Sequence, residues 1–142
     1  MNNMKIIDSL NNRFRPEEVI FGSLVILTIL VNYPSPVPGM AACCLLAFYY
    51  LFFSWSMFTT EHENHVLFSI LSGIVYSVCL ISITILIGEL VSGFVFLYLQ
   101  LVLLLFISSF LFMKKEWGLY KGNHFIRIGL ILFLNFYILV FR

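Results

Sequence analysis

Residues 66–87 read VLFSILSGIVYSVCLISITILI, a run with no charged side chain. An uninterrupted apolar stretch of at least about 18 residues is a transmembrane helix candidate, because about 20 helical residues cross a hydrocarbon core about 30 Å thick. The run is bounded by Thr59-Thr60-Glu61-His62-Glu63-Asn64-His65 before it and Gly88-Glu89 after it. Beyond those connections the pattern repeats. Residues 40–58 and 91–113 are again apolar, and between Pro16 and Met113 there is no Lys or Arg.

Two further segments complete the set. Residues 17–32 follow Arg15-Pro16-Glu17-Glu18, which puts Pro in a first helical turn and two carboxylates where the helix dipole favours them. They end at Asn32-Tyr33-Pro34-Ser35-Pro36-Val37-Pro38-Gly39, where clustered prolines cannot supply consecutive helical hydrogen bonds. Residues 125–141 form the last span, near the lower length limit of about 17. The expected fold is an all-α integral membrane protein, a polytopic bundle of five transmembrane helices in one domain with a tail over residues 1–15. If 125–141 is re-entrant or lies on the surface, four spans remain.

Composition agrees. Of 142 residues 61% are hydrophobic and 11% charged, against about 25% charged in a soluble domain, too few to cover a water-exposed globule. Five spans take roughly 100 residues, which excludes a separate soluble catalytic domain. A net charge of +1 gives no reason to expect nucleic acid. Cys43, Cys44 and Cys79 lack metal or redox spacing and read as small packing residues.

Lys and Arg collect on the cytoplasmic side of membrane spans. Lys5, Arg13 and Arg15 precede the first span, and Lys114, Lys115, Lys121 and Arg127 follow the fourth. Four crossings between the two clusters put both inside, so the N-terminus is expected in the cytoplasm. Residues 1–15 read either as an anchoring tail or as an interfacial helix. No cleavage site follows the first apolar run, which reads as a retained span, and Met40-Ala41-Ala42-Cys43 is a poor match to an acylation signal because more apolar helix follows.

Helices in lipid associate through close backbone approach and interhelical hydrogen bonds. Gly39, Cys43 and Ala47 on the second span and Ser69, Gly73 and Ser77 on the third are small residues four apart, so these two helices are expected to pack through them. Gln100 and Asn135 lie about 13 Å and 9 Å below the outer ends of their spans at about 1.5 Å per residue. They can meet as a structural pair, or line a polar path.

Chemistry-bearing groups are few. In a helical connection Glu61, His62 and His65 share one face and suit a metal such as zinc or iron, but a solvated turn uses the same residues. Glu89 is either an exposed turn residue or an intramembrane proton or cation site. Lys114, Lys115, Trp117 and Lys121 interleave charge with an aromatic ring where a helix leaves the bilayer, a pattern suited to lipid headgroups. No catalytic nucleophile with its base, no phosphate loop and no cofactor motif is present in the sequence.

These features point to a small multi-pass protein of a bacterial inner membrane that works through helix and lipid contacts. It is expected to serve as an accessory, assembly or immunity-type component with a membrane-protein partner or self-association. The alternatives are a small oligomeric transporter or channel using Glu89, Gln100 and Asn135, and a membrane metalloenzyme centred on Glu61, His62 and His65.

Overall fold

A computed structural model describes residues 14–31, 35–57, 66–89, 94–113 and 118–141. Five helices run through them: α1 (Pro16–Leu30), α2 (Val37–Met57), α3 (Val66–Ile87), α4 (Phe94–Met113) and α5 (Gly118–Phe141). Among the described residues there is no strand. Four helices, α2 to α5, are long and apolar enough to cross a membrane.

The exception is α1. Its 15 residues rise about 22 Å at about 1.5 Å each, short of the expected span over 17–32. Pro16 opens the helix with Glu17 and Glu18 in its first turn, and Val31 closes it by donating its N–H to the Leu27 carbonyl at 3.0 Å. The prolines that follow prevent extension. The last helix corrects the reading in the other direction. α5 has 24 residues because it begins seven positions before Phe125, so residues 118–124, His124 among them, are helix where a connection was expected. α2 likewise begins at Val37, with Pro38 in its first turn, and Met40 donates its N–H to the Pro36 carbonyl at 3.1 Å.

Hydroxyl groups on these apolar helices are satisfied locally. Ser82, Thr84, Ser108 and Ser109 donate to the carbonyl four residues earlier at 2.7 to 3.0 Å, so their presence interrupts neither the helices nor the packing. α3 ends where Gly88 donates to the Thr84 carbonyl at 3.0 Å and Glu89 turns left-handed with φ 53°.

The most extensive interface joins α2 to α3. Gly39, Cys43, Ala47, Ser69, Gly73 and Ser77 are all buried. At the closest point, a β-carbon added to Gly73 would meet the side chain of Ser54 and come within 2.7 Å of the Tyr50 carbonyl oxygen. α1 packs on α2, while α3 also contacts α4 and α5. α3 is thus the central helix, and its apolar stretch is 61% buried against 22% for that of α4.

Candidate functional site

Polar side chains from four helices meet in one buried cluster. Glu18 stands on the buried stripe of α1 with Val25 and Ile29, seven and eleven positions on. Arg127 stands on the buried stripe of α5 with His124, Ile128, Ile131, Leu134 and Ile138. Both periodicities are helical. The two charges are 109 residues apart in sequence and form an ion pair: Arg127 Nη2 donates to Glu18 Oε2 at 2.8 Å, and Arg127 Nε donates to Oε1. Tyr50 of α2 donates its hydroxyl to the same Oε1 at 2.7 Å. The Phe14 ring centre lies 5.1 Å from the guanidinium carbon.

One turn before Arg127, His124 Nδ1 is 2.6 Å from the Tyr76 hydroxyl of α3. The ring of His124 also packs edge-on against Phe68, with centroids 5.4 Å apart. Tyr50 and Tyr76 touch through their rings at 5.5 Å, which joins the ion pair and the histidine contact into one cluster. Glu18, Tyr50, Tyr76, His124 and Arg127 are each at most 6% exposed. The guanidinium cannot lose its charge at any ordinary pH, and its fork holds both carboxylate oxygens, the strongest arrangement available to an ion pair. Chemically the cluster fixes one cation and one anion inside apolar surroundings, with the Tyr50 hydroxyl on the anion and a tyrosine–imidazole contact beside them.

Compared with family models, with curated proteins and with solved structures, the chain matches none. Its reading therefore rests on its own residues.

A second polar contact lies further along α5. Asn135 Nδ2 donates to Gln100 Oε1 at 2.7 Å and to the Ile131 carbonyl at 3.0 Å, so the structure brings together the two amides singled out in the sequence. Glu89 is not among buried groups: it is exposed in the turn after α3. Glu61, His62 and His65 lie outside the described residues, as do Lys114, Lys115, Trp117 and the side chain of Lys121. Among the described residues no group of three or more His, Cys, Asp or Glu is placed to hold a metal. Cys43, Cys44 and Cys79 are free thiols, with Cys44 Sγ 3.9 Å from Thr84 Oγ1.

Sequence reasoning missed the main cluster. Glu18 already had a role at a helix N-terminus and Arg127 one as a topology signal, so neither called for a partner. The available signal was the helical stripe continued backwards from Asn135, Leu134, Ile131 and Ile128, which passes through Arg127 and His124.

Proposed function

We propose that this is a multi-pass membrane protein of a bacterial inner membrane, with a cytoplasmic N-terminus. It acts through helix–helix and lipid contacts as an accessory, assembly or immunity-type component. The supporting observation is the direction in which its polar groups face. Glu18, Arg127, Tyr50, His124, Gln100 and Asn135 point inwards and close one helix on another, while the outer faces carry Leu67, Val95, Tyr98, Val102 and Phe106, each more than three-fifths exposed. Such faces suit lipid tails or a neighbouring helix. Alkaline carbonate should leave the chain in the membrane pellet, and cysteine accessibility at Ser35 and Glu89 should report the outer side. Gentle solubilisation of native membranes should recover a stoichiometric membrane-protein partner or a self-associated form. A clean monomer that carries out transport would overturn the assignment.

One observation favours the second reading, a small transporter or channel. A buried ionisable pair such as Glu18 and Arg127 among apolar helices is by default a functional-site candidate, ion and substrate routes included. Proteoliposome flux that is lost in Arg127→Gln would support transport, and flux absent from the wild-type protein would remove it.

A further inference from the structure

The Glu18–Arg127 pair is built from unequal parts. Arg127, His124, Tyr50 and Tyr76 belong to span-length helices, whereas the carboxylate comes from the shorter α1, which buries only Glu18, Val25 and Ile29 of its 15 residues. A guanidinium held in apolar surroundings demands an anion, because an uncompensated buried charge costs several kcal/mol. The four-helix body formed by α2 to α5 therefore carries a fixed cationic site, and α1 supplies the counter-ion from within the same chain.

The donors of that site are arranged for two oxygens. Arg127 Nη2 and Nε reach separate oxygens of Glu18, and the Tyr50 hydroxyl adds a second bond to one of them. This fork fits a phosphate as well as a carboxylate. Its charged groups also lie towards the starts of their helices. Glu18 is the third residue of α1, with Arg15 exposed just before the helix. Arg127 sits about 8 Å along α5 from Gly122, where the apolar stretch begins. A headgroup phosphate with its acyl chains on the exposed face of α1 or α5 reaches that depth.

We infer that Arg127 and Tyr50 form a binding site for a phosphate group, from a lipid headgroup or free in solution, and that Glu18 occupies it as a built-in competitor. This rests on the membrane reading above, but it does not depend on which component the protein assists. If carbonate extracts the chain, the membrane reading fails, and the phosphate site is still decided by the comparison below.

The test compares wild type, Glu18→Gln and Glu18→Gln/Arg127→Gln, purified in delipidated detergent. Phosphatidylglycerol, phosphatidylcholine or inorganic phosphate is then added, and retained ligand is read by native mass spectrometry. Glu18→Gln should retain phosphatidylglycerol or inorganic phosphate at least about tenfold more than wild type, and the double variant should lose the gain. Retention of phosphatidylglycerol alone assigns the headgroup as the source, and retention of inorganic phosphate assigns the free anion. Equal retention by Glu18→Gln and wild type, or a gain that survives in the double variant, overturns the site. Should Glu18→Gln aggregate, phosphatidylglycerol or phosphate present during purification should restore a monodisperse, helical protein where phosphatidylcholine does not. Failure of both anions to restore it also overturns the proposal.

Discussion

Between α2 and α3 the helices approach until Gly73 has no room for a β-carbon, whereas α5 reaches its neighbours through side chains: Arg127 to Glu18, His124 to Tyr76 and Asn135 to Gln100. The first contact is made by shape. A polar approach between α2 and α3, Cys44 Sγ to Thr84 Oγ1 at 3.9 Å, is long. The second kind of contact is made by polar groups that apolar surroundings compel to find partners. Two helices of similar apolar character can thus be embedded very differently, as α3 and α4 are, because hydrophobicity alone selects no neighbour once the surroundings are equally apolar. Small residues and polar residues do the selecting.

This contrast is open to direct attack, beginning where the effect is largest. Arg127→Met leaves Glu18 buried without its cation and should destabilise the bundle by about 3–5 kcal/mol, read as a shifted midpoint in reversible detergent denaturation. Adding Glu18→Leu to it should recover most of that loss. A double variant as unstable as the single one would show that the two side chains are not what joins α1 to α5.

Gly73→Ala probes the shape-built contact, where the new methyl group meets Ser54 and the Tyr50 carbonyl. The expected cost is about 1–3 kcal/mol, as for other overpacked sites. The same substitution at Gly129 on α5, which has nothing within 4 Å of an added β-carbon, should be neutral or slightly stabilising, since Ala is the better helix former. Equal effects at both glycines would erase the distinction between the two contacts.

Asn135→Leu should cost about 0.6 kcal/mol and at most about 1.7, the range for interhelical hydrogen bonds in lipid. The loss should fall on the α4–α5 association, read by crosslinking between the two helices. Leu105→Ala, at a residue of α4 that is itself 65% exposed, should change stability by less than about 0.5 kcal/mol. A larger loss would mean that a partner covers that face.

The parts of this architecture legible in the sequence are those encoded by neighbours along the chain. Residues 66–87 announce α3 because a charge-free run that long has few other solutions, and the four-residue spacing of Ser69, Gly73 and Ser77 marks a face on which another backbone can rest. Gln100 and Asn135 could be paired by depth alone. The ion pair could not be read in the same way, because Glu18 and Arg127 each sit beside features that explain them locally, a prolyl helix start and a basic connection. Their meeting depends on α1 lying alongside α2 and on α5 beginning at Gly118, facts of packing that no local spacing carries. Ser54 was overlooked for a related reason: the ridge on α2 extends beyond Ala47 by about two helical turns that include the bulky Tyr50, and it is the backbone carbonyl of that residue which Gly73 approaches.

The 109 residues separating the two charges also set an order in time. A ribosome releases Glu18 long before Arg127 exists, so every nascent intermediate up to the last helix carries a carboxylate with no guanidinium to receive it. Only a chain that has delivered α5 can complete the ion pair, although α1 already rests on α2. A product truncated after Met113 should therefore present an unfastened first helix to membrane proteases and disappear quickly, and supplying α5 as a separate polypeptide should prolong its life. The ion pair then marks the arrival of α5, tying the fate of α1 to a helix made 109 residues later.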